Sequence, residues 1–129
     1  MAVKRNLMID QGETVILDFT WRTKVSRTPI DITGADILLQ IRKTPGETSP
    51  VLFEASTGNG GIVIVSGAGG NFVVTITSAQ TTAMEAAGVP ADPTANPALY
   101  EIKLRFSDGR VRSLMAGPVV FKKAVAFLS

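Results

Sequence analysis

The feature that most constrains the fold is a two-residue alternation of apolar and charged side chains within residues 98–116. The apolar and the charged members alternate strictly, Tyr100, Ile102, Leu104 and Phe106 against Glu101, Lys103 and Arg105. Because successive side chains of a β-strand point to opposite faces, this pattern predicts a strand with one apolar and one charged face. Asp108 and Gly109 then offer the pair that a tight two-residue turn needs, and residues 111–115 form the return strand. The stretch therefore predicts a β-hairpin.

The same period recurs along the chain, between turn signals roughly ten residues apart, a spacing typical of β-sandwiches and small barrels. In chain order the predicted strands are 3–9, 13–22, 35–43, 51–55, 62–65, 71–77, the hairpin at 98–116 and finally 119–121. Gly117-Pro118 interrupts the return strand, which indicates an edge or a bulge there. We therefore predict an all-β fold, with residues 1–129 forming one domain.

One segment breaks the β pattern. Residues 78–87 are rich in Ala and end at Gly88, which suits a helix C-terminus. Thr77 and Gln80 have the spacing of a capping box, and Ser78 is an alternative N-cap. The sequence thus predicts a short helix that bridges one sheet to the other. A loop with three prolines follows it at 89–97.

Residue types needed for catalysis or metal binding are missing or isolated. The chain has no Cys and no His, so it lacks a thiol nucleophile, the commonest general base and the commonest metal ligand. Asp31, Asp36 and Asp92 are the carboxylates considered for catalysis or calcium, and no His or Cys accompanies them. The glycine clusters at 58–61 and 67–70 have no following helix and no lysine, so they indicate tight turns rather than a phosphate loop. We expect no enzymatic activity, no metal and no cofactor.

The charge and hydropathy of the chain limit the kinds of partner that we expect. A formal charge of +2 is too small to indicate nucleic acid, and the basic residues form no single block. The N-terminus lacks the apolar stretch and cleavage site of a secretory signal, and no apolar run approaches the roughly 18 residues of a membrane span. We therefore expect a protein made and folded in a cytoplasm, with neither nucleic acid nor membrane as partner.

The two ends of the chain are candidates for docking. Residues 124–128 are apolar where polar fraying is the norm, so this tail either completes a sheet of its own domain or adds to a neighbour's. Near the other end lies a basic doublet, for which solvated strand ends are the simpler interpretation. Residues 1–10 and 123–129 are thus possible docking arms. Their candidate interaction residues are Val125, Phe127, Leu128, Lys4 and Arg5.

Trp21 is the only tryptophan of the chain. Its position places it on the apolar face of strand 13–22, with Val15, Leu17 and Phe19, so core packing is the favoured role. A carbohydrate-binding aromatic platform is the alternative. That role needs several exposed aromatic rings, and the chain supplies one Trp and one Tyr.

Six stretches, taken in order, resemble a group of small tailed-phage virion proteins that includes the immunoglobulin-like N-terminal domain of siphophage baseplate upper proteins. They are GETVILDFTW, PIDITGADILLQIR, VLFEAST, GGIVI, FVVTITSAQT and LYEIKLRFSDGRVRSLMAGPVVF, and the resemblance covers roughly residues 12–122. The resemblance implies an immunoglobulin-like antiparallel β-sandwich with one short helix near residues 78–87. It also implies a non-enzymatic adaptor that docks on other virion proteins and helps attach fibres or receptor-binding proteins.

On this resemblance the protein is assembled in the host cytoplasm and resides in the virion, as a symmetric oligomer with tail, baseplate, neck or fibre subunits. A baseplate upper protein continues into a helical, fibre-bearing part, which the sequence lacks after residue 129. A separate adaptor, a neck or head–tail completion protein and a decoration protein therefore all stay open. The alternative function is a surface glycan-binding module on the same fold, for receptor binding or decoration, and an enzyme with a cryptic carboxylate site ranks third.

Overall fold

The computed structural model describes residues 3–23, 25–46 and 48–126. This part of the chain contains nine strands and one helix. In order they are β1 (Val3–Lys4), β2 (Leu7–Asp10), β3 (Val15–Thr20), β4 (Asp36–Arg42), β5 (Val51–Ser56), β6 (Ile62–Ser66), β7 (Asn71–Ile76), α1 (Ser78–Ala87), β8 (Leu99–Arg105) and β9 (Val111–Lys122). The predicted all-β fold is confirmed.

The strands form two sheets. The larger sheet has the order β1-β9-β8-β4-β5, with β2 also paired to β9, and the smaller has the order β3-β7-β6. In immunoglobulin lettering, β9-β8-β4-β5 corresponds to G-F-C-C′ and β3-β7-β6 to B-E-D, the two layers of a variable-type domain. The structure is thus an immunoglobulin-like, all-β sandwich. Its pairing is antiparallel except at β1 and β2, which run parallel to β9.

Alternation along the strands builds the core between the sheets. The inward residues of β4, β7 and β8 are buried, namely Ile37, Leu39, Ile41, Phe72, Val74, Ile76, Tyr100, Ile102 and Leu104. Full burial of one such aliphatic or aromatic side chain contributes roughly 1.5–3 kcal/mol. On β3 the inward residues are half-buried, and Ile16, the exception in the pattern, is 66% exposed. The predicted faces of these strands are therefore confirmed.

Helix α1 connects the smaller sheet to the larger one and has the predicted caps. The Gln80 amide donates to the Thr77 hydroxyl over 3.2 Å, and the Thr77 amide donates to the Gln80 side chain over 2.8 Å. At the other end Gly88 has φ 105°, a left-handed conformation that glycine adopts without strain. The buried side chain of Thr81 fixes the helix to the β2–β3 turn, because it accepts from Gly12 and donates to the Glu13 carbonyl.

Two predictions about the N-terminal strand and its partner are wrong. The predicted strand 3–9 is divided into β1 and β2, and the predicted break at Gly117-Pro118 is absent because β9 is continuous from Val111 to Lys122. Both N-terminal strands keep one register on β9, so the interruption lies on the partner strand, at residues 5–6. The bulge between β8 and β9 lies elsewhere, where the partner of β8 changes from Met115 to Ser113.

The predicted two-residue hairpin turn is also wrong. The Phe106 amide donates to the Arg110 carbonyl and the Gly109 amide to the Phe106 carbonyl, so three residues connect the strands. Of these three, only Gly109 has positive φ, at 94°. This is the turn-plus-bulge geometry in which one left-handed residue suffices. Asp108 instead uses its side chain to accept hydrogen bonds from the main chain and side chain of Arg110.

Candidate functional site

The predicted docking residues that the structure describes, Lys4, Arg5 and Val125, lie at different places. Val125 is fully exposed beyond the end of β9, whereas Phe127 and Leu128 lie outside the described residues. Residues 123–126 belong to no strand, and the Ala124 amide donates to the side chain of Gln11. Lys4 and Arg5 are exposed at the edge of the larger sheet. Of the predicted set, Lys4 is the residue that lines a concave surface.

That concave surface, which we call the outer-face groove, lies on the side of the larger sheet that faces away from the core. Its volume is 830 Å³. The residues that line it are Lys4, Leu38, Gln40, Arg42, Thr44, Pro45, Gly46, Leu99, Tyr100, Glu101, Lys103, Ala116 and Gly117. They come from β1, β4, β8, β9 and the loop after β4. The groove therefore runs across four neighbouring strands of the sheet.

The apolar side chains in the groove stand at positions where the strand pattern calls for polar ones. Leu38 lies between the inward residues Ile37 and Leu39, so its own side chain points outward. Leu99 lies outward for the same reason at the start of β8. Both side chains and that of Ala116 are half-buried. In the sequence, the apolar residue Leu38 on the polar face of its strand indicated this surface. The prediction of an alternating strand did not take it into account.

Hydrogen bonds hold the polar side chains beside these leucines. Gln40 donates to Glu54 on β5 over 2.8 Å and accepts from Arg42 over 3.1 Å. On the other side Ser113 donates to Glu101 over 2.6 Å, and Lys103 lies 3.7 Å from the same carboxylate. The groove thus combines apolar side chains with an ordered polar surround.

A second concave surface, which we call the loop-end cavity, lies at the end of the sandwich between the β3–β4 connection and the β8–β9 hairpin. Its volume is 420 Å³. The residues that line it are Trp21, Ile30, Asp31, Thr33, Phe106, Ser107, Asp108, Arg110 and Arg112. In immunoglobulin lettering these two connections are the B–C and F–G loops, which lie at one end of the sandwich.

The cavity has an aromatic wall. The rings of Trp21 and Phe106 are stacked, with centroids 5.8 Å apart and planes at 26°. The Arg110 guanidinium lies over Phe106, 4.7 Å from its centroid. The inward position predicted for Trp21 is correct, because it continues the inward face of β3. Like the inward residues of β3, Trp21 is half-buried and packs against the core, and it lies at the open end of the sandwich.

Both carboxylates of the cavity carry lowered pKa values. The hydroxyl of Thr33 donates to Asp31 over 2.6 Å and its amide donates over 2.9 Å, and these bonds hold the pKa of Asp31 below its ordinary value. The main-chain and then the side-chain hydrogen bond from Arg110 lower the pKa of Asp108. Both groups are therefore ionised at neutral pH.

The carboxylates considered for catalysis are not brought together. Asp36 pairs with Arg105 over 2.8 Å, while Asp31 is bonded to Thr33 in the loop-end cavity. Asp92 lies in the loop after α1, where its amide donates to the Phe121 carbonyl. Among the described residues no group of three or more Asp or Glu could hold a metal ion. The glycine clusters form turns, as predicted.

Within the described part of the chain, no helix has both the length and the apolar character that crossing a membrane requires. No protein-family model matches the sequence, and no curated protein is significantly similar to it.

Proposed function

We propose that the protein is a non-enzymatic structural adaptor of a tailed-phage virion. In this proposal it docks neighbouring subunits of the tail, baseplate or neck and helps attach fibres or receptor-binding proteins. It works as part of a symmetric oligomer in the particle, after assembly in the host cytoplasm. No catalytic step, cofactor, nucleic acid or membrane enters the proposal.

The fold supports this proposal. The order of sequence motifs that resembles phage virion proteins implies an immunoglobulin-like sandwich with a helix near residues 78–87, and the structure has that architecture, with α1 at Ser78–Ala87. A fold hosts many functions, so this agreement supports the proposal without selecting it.

The observation that carries the proposal is the outer-face groove. Protein interfaces combine an apolar centre with a polar rim, and the groove places Leu38, Leu99 and Ala116 among charged and amide side chains. In an adaptor, repetition around a symmetry axis strengthens many such weak contacts.

Incorporation into particles tests the proposal. The gene is deleted from its phage genome and complemented with the wild-type chain or with the double variant Leu38→Asp and Leu99→Asp, and purified particles are analysed by quantitative mass spectrometry and cryo-electron microscopy. Because both leucines point outward and are half-exposed, the aspartates remain solvated in the free subunit. We expect wild-type chain in the tail, baseplate or neck and at least tenfold less of the double variant, since about 1.4 kcal/mol of lost contact suffices for that factor.

Val63→Asp is the matched control, because Val63 is 56% exposed on the outer face of the smaller sheet. It should enter particles like the wild type. Absence of the wild-type chain from particles contradicts the adaptor function. Equal incorporation of the double variant contradicts only the assignment of the groove as the docking surface.

A further inference from the structure

The loop-end cavity is the open end of the core. The inward faces of β3 and β8 continue one residue beyond these strands into Trp21 and Phe106, and Arg112 pairs with the inward residue Leu104. Its volume of 420 Å³ falls within the range of about 300–1,000 Å³ that ligand sites occupy. The cavity is thus large enough for a small ligand and opens at the end of the sandwich, away from the outer-face groove.

An aromatic surface is available in this cavity. Phe106 contacts both Trp21 and the Arg110 guanidinium. Among the described residues, Phe106 is the one ring stacked on Trp21, and the half-buried indole also lines the cavity, where a ligand can contact it. An indole presents a large apolar face together with one N–H donor. This suits a ligand ring that has C–H groups on its face and hydroxyls around its edge.

The polar groups around the indole include both donors and acceptors. The two hydrogen bonds that Asp31 accepts end on Oδ1, which leaves Oδ2 for a ligand. The side chain of Arg112 makes no hydrogen bond or ion pair with another described residue, so its guanidinium N–H groups can donate to a ligand. The lining contains two carboxylates, Asp31 and Asp108, and two guanidinium groups, Arg110 and Arg112, so its formal charge is zero.

This balance favours an uncharged, polyhydroxylated ligand over an ion. A carboxylate or phosphate is attracted by Arg112 and repelled by Asp31, and the reverse holds for an amine. A sugar hydroxyl, in contrast, donates to a carboxylate and accepts from a guanidinium at the same time.

The cavity wall is held in place before any ligand arrives. The Trp21 amide donates to the Gly70 carbonyl over 2.8 Å, and the Trp21 carbonyl accepts from Ile30 over 3.0 Å. Gly70 fits against both segments because a Cβ at this position would lie 2.8 Å from the Ile30 carbonyl oxygen. A preformed wall lowers the entropy that a weak ligand loses on binding.

We propose that the loop-end cavity binds a carbohydrate, with one pyranose ring against Trp21 and its hydroxyls on Asp31 and Arg112. This site is independent of docking through the outer-face groove. It gives the protein a direct contact with a glycan in addition to its role in assembly.

Fluorescence of the single tryptophan tests the proposal, because Trp21 is the only indole in the chain. The purified wild-type protein is titrated with the methyl glycosides of glucose, galactose, mannose, rhamnose and N-acetylglucosamine, and saturation-transfer NMR is recorded on the same samples. We expect at least one glycoside to change the emission in a saturable way. Asp31→Asn and Arg112→Gln should each weaken that glycoside about tenfold, which corresponds to loss of a hydrogen bond to a charged group.

Asp10→Asn and Lys122→Gln are the matched controls, because these residues pair at the opposite end of β9 from Arg112. They should bind like the wild type. Circular dichroism confirms that each variant is folded. Three outcomes overturn the proposal, namely a panel that leaves both signals unchanged, a glycoside whose affinity survives both cavity substitutions, or equal weakening by the controls. None of these outcomes affects the adaptor proposal, which depends on incorporation into particles.

Discussion

The hydroxyl of Tyr100 donates a 2.7 Å hydrogen bond to the main-chain carbonyl of Arg5. The Arg5 amide donates to the Ala116 carbonyl, so in a continued parallel ladder its carbonyl accepts from the amide of residue 118. Residue 118 is a proline and has no N–H. The hydroxyl of Tyr100 therefore replaces the missing N–H donor where β1 ends. The absence of that N–H from the ladder explains why the N-terminal strand is divided.

Tyr100→Phe tests this relationship. The substitution removes one hydroxyl and leaves the Arg5 carbonyl without its donor, so the free energy of unfolding should fall by about 1–2 kcal/mol. Urea denaturation followed by circular dichroism measures the change. A variant as stable as the wild type contradicts the proposed replacement.

The same tyrosine makes the stability of the fold depend on pH in the alkaline range. Burial raises the pKa of Tyr100 above 10.0, although the charge of Arg5 opposes this shift. A raised folded-state pKa means that the stability from this group is present below the unfolded pKa and is lost as the pH rises through the folded pKa. Because Tyr100 is the only tyrosine, tyrosinate absorbance reports its ionisation directly. We expect Tyr100→Phe to lack this alkaline loss, and an unchanged profile contradicts the assignment.

Gly117→Ala tests the close approach of the two chains at the same place. A Cβ at Gly117 would overlap the Arg5 carbonyl oxygen and lie 2.9 Å from its carbon. We expect a loss of about 2 kcal/mol or more in the free energy of unfolding, because main chain rather than a side-chain tip must move. Gly58→Ala is the control, since its nearest atom is 3.6 Å away, and it should change stability by less than about 0.5 kcal/mol. Equal stabilities of the two variants contradict the prediction.

Thr81→Val tests the attachment of α1 to the β2–β3 turn. Thr81 is fully buried and bonds both Gly12 and Glu13, so an isosteric valine leaves a donor and an acceptor unsatisfied. Thermal or urea denaturation should show a loss of about 2–3 kcal/mol. Thr82→Val should cost less than about 0.5 kcal/mol, because the exposed Thr82 hydroxyl bonds only within its helix. The prediction fails if both variants lose the same amount.

Glu85 contributes stability that is lost at acidic pH. Its ion pair with Lys123 joins α1 to the segment after β9, and the hydrogen bond from Lys123 lowers the pKa of Glu85 below 4.5. A lowered folded-state pKa means that this stability is present above the unfolded pKa and is lost as the pH falls through the folded pKa. Glu85→Gln should therefore reduce the acid sensitivity of unfolding, with Lys123→Gln as the reciprocal variant. If the double variant loses the sum of the two single effects, the pair is not the cause.

The sequence predicted the elements that local chemistry determines. Thr77, Gln80 and Gly88 mark the helix because caps depend on neighbouring residues, and the alternation of β4 and β8 identifies their inward faces. The prediction of a two-residue turn was wrong because Ser107 also belongs to the connection between the strands. A dipeptide such as Asp108-Gly109 does not indicate how many residues that connection contains.

Features that depend on distant contacts escaped prediction. The division at residues 5–6 follows from Pro118 and Tyr100, more than 90 residues away along the chain. The loop-end cavity forms because the B–C and F–G loops lie side by side. The alternating pattern that places Trp21 on the inward face of its strand does not predict this contact between loops. The outer-face groove could be predicted in part, because the apolar Leu38 interrupts the polar face of its strand.

Hydrogen–deuterium exchange, on the free subunit and on the chain within purified particles, tests the central claim most directly. Docking through the outer-face groove should slow exchange in β4 and β8 and in the loop at 43–46, with little change in β3, β7 and β6. Slower exchange confined to the smaller sheet, or identical exchange in both states, would contradict the account.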